Sequence, residues 1–189
     1  MEAITRHLTL HNFMGRLMSA LRLDDAVFED VEADETAIGQ AMTIVVLSSL
    51  ATSVGSLSTK ANSALAVDPV VALVGWLVWA ILIFIIGTRV LPEAQTRSSI
   101  GELLRTTGFA VAPGLFGIAG IIPVVGNLVF IAISVWTLMA MVMAVQHALD
   151  FRSLGRAVLV VLVGWLAYMG LLALFSPGGL ASARYLDIQ

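Results

Sequence analysis

The sequence between residues 70 and 88 reads VVALVGWLVWAILIFIIGT and contains no Asp, Glu, Lys or Arg. A helix needs roughly 20 apolar residues to cross the hydrocarbon core of a bilayer, and this stretch is about that long. Similar stretches precede and follow it, which gives five candidate spans over residues 38–57, 70–90, 106–122, 124–146 and 157–175. The sequence therefore predicts an all-α, polytopic integral membrane protein, a bundle of five transmembrane helices.

The composition of the whole chain agrees with a membrane location. Hydrophobic residues make up 59% of the chain and charged residues only 12%, against roughly 25% charged in ordinary soluble domains. The net charge of −3 and the lack of a basic stripe argue against nucleic-acid binding. We expect three regions: a cytoplasmic amphipathic and acidic arm (residues 1–36), a transmembrane domain (37–176) and a short external tail (177–189).

The positions of the basic residues predict the orientation of the bundle. Five crossings would place eight of the ten Lys and Arg residues on one side: Arg6, Arg16, Arg22, Arg89, Arg97, Arg105, Arg152 and Arg156. Only Lys60 and Arg184 would lie on the other side. Because cytoplasmic loops carry an excess of Lys and Arg, we expect the amino terminus in the cytoplasm and the carboxyl terminus outside.

The third candidate span, residues 106–122, is short and rich in helix-breaking residues. It contains Pro113 together with four glycines, and proline removes a backbone donor from a helix. We expect a span that kinks at Pro113 and is packed tightly by its glycines. The alternative is a broken or re-entrant element that lines a cavity. A re-entrant element would move Arg152 and Arg156 to the outer side.

The arm contains two apolar patterns at helical spacing. Phe13, Leu17 and Leu21 form a stripe that is typical of an amphipathic helix lying on the inner membrane face. Val27 and Phe28 belong to a second short segment rich in Asp and Glu. We interpret that segment as a solvated acidic linker, with a surface for a partner as the alternative.

The first span has small and hydroxyl side chains along one side: Ser48, Ser49, Thr52, Ser53 and Gly55. Residues of this kind let helix backbones approach closely in lipid. We therefore predict a helix-packing seam here, with a polar transport path as the alternative.

No motif with catalytic or metal-binding chemistry occurs in the sequence. His7 and His11 lack further ligands, and His147 with Asp150 lacks a nucleophile, so we predict no enzyme activity, no cofactor and no metal site. The interiors of the five stretches contain no ionisable residue, which argues against proton-coupled transport. Five arginines near the predicted cytoplasmic face are candidate contacts for anionic lipid headgroups: Arg89, Arg97, Arg105, Arg152 and Arg156. Alternatively, these arginines only fix the topology.

Several local patterns together resemble one known family. Residues 27–34 read VFEDVEAD in the arm, and residues 103–110 read LLRTTGFA ahead of Pro113. A Gly/Ile stretch then ends at Ile122-Pro123, and Ser134-Val135-Trp136 begins the run toward Gln146-His147. With the five spans, this pattern resembles the bacterial branch of the Yip family, the Ypt-interacting membrane proteins, over roughly residues 25–175.

The resemblance implies a five-span fold in a membrane, here the bacterial inner (cytoplasmic) membrane, and no catalytic residues. Eukaryotic members bind small GTPases through a longer amino-terminal region with an Asp-Leu-Tyr-Gly-Pro motif. This chain lacks that motif, so the resemblance does not carry GTPase binding over to it.

Two functional classes follow from the sequence. The first is a non-enzymatic scaffold or accessory subunit that organises membrane through helix packing and its cytoplasmic face. Its partners would be membrane lipids, other membrane proteins or further copies of itself. The second class is a small transporter or lipid-handling protein that uses the kinked third span. A pore or lateral groove lined by Ser49, Thr52, Ser53 and the Pro113 region would favour the second class.

Overall fold

The structure is a computed structural model, and it describes residues 13–57, 69–122 and 124–175. Within these residues the chain forms helices and no strand. The α-helices are α1 (13–21), α2 (Asp25–Ala33), α3 (Ile38–Ser56), α4 (Pro69–Ile85), α5 (Ile100–Ala110), α6 (Gly126–Ala148) and α7 (Leu154–Phe175). Two 3-10 segments (Glu35–Ala37 and Ala112–Ile121) and one π-helical segment (Ile86–Val90) extend three of them.

Five of these helical units are long and apolar enough to cross a bilayer: Glu35–Ser56, Pro69–Val90, Ile100–Ile121, Gly126–Ala148 and Leu154–Leu174. This confirms the predicted fold class. The third unit begins at Ile100 rather than at residue 106, so it includes Glu102 and Arg105. Both lie in its first two turns, and residues 106–121, the predicted interior of the third span, contain no ionisable residue.

The third span is the central element of the bundle, and it is broken. In its most apolar stretch 56% of the residues are buried, against 22–28% in the corresponding stretches of the other four spans. The α-helix α5 ends at Ala110, and a 3-10 segment with Pro113 in its first turn continues to Ile121. Proline explains the break, because its ring excludes a regular α-helical hydrogen bond to the preceding turn.

The third span nevertheless crosses the whole bundle. The Arg16 side chain bonds to Gln40 at the start of α3, which places the arm at that end of the bundle. Near the opposite end of α3, a Cβ atom on Gly55 would lie 3.4 Å from Cα of Gly120. The third span thus reaches both ends of the bundle, which favours a crossing over the re-entrant alternative, and the break and the glycine packing are both present.

The two basic loops lie together at the arm end. The backbone N–H of Arg152 donates to Oε2 of Glu93 at 3.0 Å, and Nε of Arg156 lies 3.6 Å from Oε1 of the same carboxylate. Gln95 also donates to the carbonyl of Asp150 at 3.1 Å. Five crossings require this arrangement, because the second and fourth loops must then share a side with the arm.

Residues 13–36 of the arm are folded onto the bundle, which corrects the prediction of a solvated linker. Phe28 and Val31 of α2 are fully buried against α5 and α6. Phe13, Leu17 and Leu21 of α1 pack against the same core cluster, and Met14 and Met18 beside them are exposed, so the contact of α1 with the membrane face stays a prediction. An apolar stripe at helical spacing can face protein or lipid equally well, and the sequence pattern alone does not distinguish them.

Candidate functional site

A cavity of about 720 Å³ lies among the spans. Its walls come from α3, α4, α6, α7 and the break in the third span. The walls are mainly apolar, and several hydroxyl groups interrupt them. A site of this volume is within the range of roughly 300–1,000 Å³ that is usual for small-molecule pockets.

The first polar wall follows from the break in the third span. Ser48 donates its Oγ–H to the carbonyl of Val111 at 3.0 Å, and Thr52 donates to the carbonyl of Gly114 at 3.5 Å. Both carbonyls belong to the broken segment, where the regular ladder of α-helical bonds is interrupted. Hydroxyl side chains of neighbouring helices commonly satisfy such groups in membranes.

The residues of the predicted seam divide between packing and the cavity. Ser48, Thr52 and Gly55 face the third span, where a Cβ on Gly55 would lie 1.9 Å from the carbonyl oxygen of Gly117. Ser49 lines the cavity and donates to the carbonyl of Val46 in its own helix. Ser53 is outside the cavity lining. Groove residues therefore include Ser49 and Thr52 but not Ser53.

The opposite wall contains hydroxyl groups that sequence reasoning missed. Ser134 of α6 donates to the carbonyl of Phe130 in its own helix at 2.8 Å. Thr137 and Tyr168 also line the cavity, and among the residues that the structure describes neither hydroxyl has a hydrogen-bond partner. The sequence signal for these residues was their position as isolated hydroxyl side chains inside apolar spans.

Three tryptophans complete the lining: Trp76, Trp79 and Trp165. The Trp76 indole donates to Oγ1 of Thr107 at 3.0 Å, which fixes its ring against α5. Trp165 is 54% exposed, so part of the lining is open toward the lipid phase. No Asp, Glu, Lys, Arg or His belongs to the lining within the described residues. The cavity therefore offers uncharged hydrogen-bonding groups in an apolar surrounding.

Of the five arginines predicted to contact headgroups, Arg105 has quite different neighbours. Its side chain is 8% exposed and donates to the carbonyls of Val31 (2.9 Å) and Glu32 at the carboxyl end of α2. Carbonyls at a helix end lack intrahelical donors, and a cation is favourable there. Arg105 thus holds α2 of the arm on the bundle.

The other four arginines remain at the arm-end surface. Arg156 bonds to the carbonyl of Pro92 and is partly exposed, whereas Arg89, Arg97 and Arg152 are exposed. Their contact with lipid headgroups stays a prediction.

His147 forms a second attachment point for the arm. Its Nε2 lies 3.2 Å from Oδ1 of Asp25, its Nδ1 lies 3.7 Å from Oε1 of Glu29, and its ring stacks on Phe28 at 6.2 Å. The ring of His147 pairs with the arm, while the backbone N–H of Asp150 donates to the His147 carbonyl at 2.9 Å, a local contact at the end of α6. A protonated imidazole would attract both carboxylates of α2.

The carboxyl group of Glu32 lies where negative charge is unfavourable. Burial raises its pKa to about 7, and the nearby charges of Asp150 and Glu102 act in the same direction. The Arg105 guanidinium opposes this shift only partly. Near neutral pH the docked arm therefore contains a carboxylate that would be more favourably solvated if the arm were released.

A third attachment joins α1 to α2. Arg16 lies 2.6 Å from the carboxylate of Asp30 and 2.8 Å from that of Asp34. The Thr36 hydroxyl and the Arg16 guanidinium lower the pKa of Asp34, because both donate hydrogen bonds to its ionised form. The two arm helices therefore form one unit.

Comparison with known proteins supports a single assignment. A family model described as the Yip1 domain matches residues 20–175, which include the docked arm helix α2 and all five spans. No curated protein and no solved structure matches the chain. Since the match covers most of the 189 residues, this five-span membrane protein belongs to the Yip family.

Proposed function

We propose that this Yip-family membrane protein is a non-enzymatic lipid-handling protein that holds one membrane lipid in its intramembrane cavity. The supporting observation is the cavity of about 720 Å³, whose wall includes Ser49, Thr52 and the segment beside Pro113. A groove of this kind is the feature that distinguishes lipid handling from a purely structural bundle.

The position of the cavity supports a lipid as the occupant. Its walls are contributed by helices long and apolar enough to cross a bilayer, so the phase that surrounds the opening is hydrocarbon. An apolar void has no favourable contacts with water, whereas an acyl chain can fill it with dispersion contacts.

The test compares two alanine-to-phenylalanine substitutions in the full chain. Ala72 lines the cavity, whereas Ala132 is exposed on α6 and outside the lining. We expect the wild-type protein and Ala132→Phe to retain a lipid through mild detergent purification, as detected by native mass spectrometry. Ala72→Phe should retain at least about fivefold less, because its ring occupies the cavity.

Equal retention by Ala72→Phe and Ala132→Phe at equal thermal stability would contradict the proposal. Purification of all three proteins without any bound lipid would contradict it as well.

A scaffold role is the second candidate, and the docked arm favours it. Helices α1 and α2 of the arm pack on the bundle, and the side chains of Asp25 and Glu29 remain more than 70% exposed. A photo-crosslinking residue at exposed Glu35 should then capture a defined membrane partner in native membranes, unlike one at exposed Leu57 near the opposite end. Absence of any specific adduct at Glu35 would count against this role.

A further inference from the structure

We propose that the cavity selects a lipid whose polar group is uncharged, an ester- or hydroxyl-bearing neutral lipid of the diacylglycerol type. This inference rests on the proposed lipid-handling function and assigns the chemical class of its ligand. It also assigns the groups that recognise the ligand, the hydroxyls of Thr137 and Tyr168.

The lack of charged side chains in the described lining favours a neutral ligand. The lining contains no ionisable group other than the Tyr168 phenol among the described residues. A phosphate, carboxylate or ammonium group drawn into such a site would be desolvated without a counter-charge, which is strongly unfavourable. A hydroxyl or ester loses far less solvation and can be satisfied by one or two hydrogen bonds.

The hydroxyl groups of the lining differ in whether they already donate a hydrogen bond. Ser48, Thr52 and Ser134 already donate to backbone carbonyls, so their oxygens face a ligand as acceptors only. Thr137 and Tyr168 instead keep free O–H groups within the described part of the chain. In hydrocarbon, an unpaired donor is unfavourable. An ester carbonyl accepts from these two donors, and a ligand hydroxyl can donate to the acceptors opposite.

The position of these two donors along their helices also favours a neutral lipid. Thr137 lies in the middle of α6, and Tyr168 lies fourteen residues after the start of α7 at Leu154. At about 1.5 Å per residue, they lie roughly 16 and 21 Å along their helices from the arm ends at Ala148 and Leu154. A hydrocarbon core is about 30 Å thick, so positions this far along a spanning helix lie well inside it. Charged headgroups of phospholipids stay at the interfaces, whereas a neutral lipid can place its ester or hydroxyl group at this depth.

The experiment reconstitutes the full chain into phosphatidylcholine vesicles with one of two photoreactive probes. One probe is a diacylglycerol with a diazirine in one acyl chain, and the other is phosphatidic acid with the same chains. We expect the diacylglycerol to label peptides of the cavity wall at least about fivefold more than phosphatidic acid does. Ala72→Phe should abolish this labelling.

Isosteric removal of the two donors tests the assignment of the recognition groups. Thr137→Val combined with Tyr168→Phe should reduce diacylglycerol labelling of the wall about tenfold, since two hydrogen bonds are lost. Thr43→Val is the matched control, because Thr43 is exposed outside the lining and its hydroxyl already bonds to the carbonyl of Gly39 in its own helix. It should leave the labelling unchanged, and labelling of peptides on the outer lipid-facing surfaces should not change in any variant.

The outcomes separate the two proposals. If phosphatidic acid labelled the wall as strongly as diacylglycerol, and Ala72→Phe still removed both signals, the neutral class would be wrong while lipid handling stood. If the double variant bound the diacylglycerol normally, the assignment of Thr137 and Tyr168 would be overturned. If Ala72→Phe changed neither signal, both proposals would fail.

Discussion

At the scale of single residues, the contact between α3 and the third span depends on glycines. A Cβ on Gly117 would lie 2.8 Å from Cα of Thr52, closer than a carbon can approach without displacing backbone. We predict that Gly117→Ala destabilises the bundle by about 1–3 kcal/mol, the usual effect of overpacking. Thermal unfolding in detergent measures the change. Gly170→Ala is the control, because nothing lies within 4 Å of its added methyl group, and a melting temperature as low as that of Gly117→Ala would refute this explanation.

Glu32 gives the second residue-scale prediction, a pH dependence of arm docking. Its pKa is raised from 4.5 in the unfolded reference to about 7, mainly by burial. The contribution of Glu32 to docking is therefore fully present below about pH 4.5 and is lost as the pH rises through 7. After allowance for solvent screening, the effect is on the order of 1–2 kcal/mol. Glu32→Gln should remove it and slow hydrogen exchange in α2 at pH 8.

Hydrogen exchange of α2 between pH 5.5 and 8, corrected for intrinsic rates, measures this dependence. Glu35→Gln is the matched control, since Glu35 is an exposed acid of the same arm. A slope identical in Glu32→Gln and the wild-type protein would rule out Glu32 as its origin.

At the scale of elements, the attachment of α2 depends on one buried side chain of α5. Arg105 donates hydrogen bonds to two carbonyls at the end of α2, and its loss removes a donor from the buried carbonyl of Val31 and the partly buried one of Glu32. We predict that Arg105→Gln weakens docking of the arm by about 2–3 kcal/mol, so protease cleavage between α2 and α3 should become much faster. Arg97→Gln, which changes an exposed arginine of the preceding loop, should not affect cleavage. Equal cleavage of both variants would mean that the arm is held elsewhere.

The helices and their contacts show which features could be predicted from the sequence. Five spans were predictable, because a charge-free stretch of helical length has few alternatives to lipid. The break at Pro113 was predictable from the covalent geometry of proline. Docking of α2 was not, because the tertiary partner of Arg105 is a pair of backbone carbonyls that no side-chain pattern reveals. The cavity was predictable only in part: Ser49 and Thr52 had a polar signal, whereas Thr137 and Tyr168 lie as isolated residues in apolar helices.

At the scale of the whole molecule, the arm and the cavity share packed residues. Trp76 and Met141 line the cavity, and both pack against the core cluster that contains Phe28 and Phe109. Docking of α2 therefore supports the cavity wall nearest the arm. A released arm would remove part of that support, so the proposed lipid retention would depend on arm docking through Trp76 and Met141.

The orientation of the complete bundle can be tested by labelling from one side of the membrane. The contacts between the loops place the two basic loops at the same end as the arm, and labelling identifies which side of the membrane that end faces. Single cysteines can be introduced without interference, because the natural chain has none. Exposed positions at the arm end are Asp25, Arg97 and Ser153, and those at the opposite end are Leu57 and Val124. Since the basic loops lie with the arm, we expect an impermeant maleimide to label Leu57→Cys and Val124→Cys from outside intact cells and to label the other three only after permeabilisation. Labelling of Val124→Cys together with Arg97→Cys would show that the third span fails to cross in the membrane, and exchange of the two sets would show that the arm faces outward.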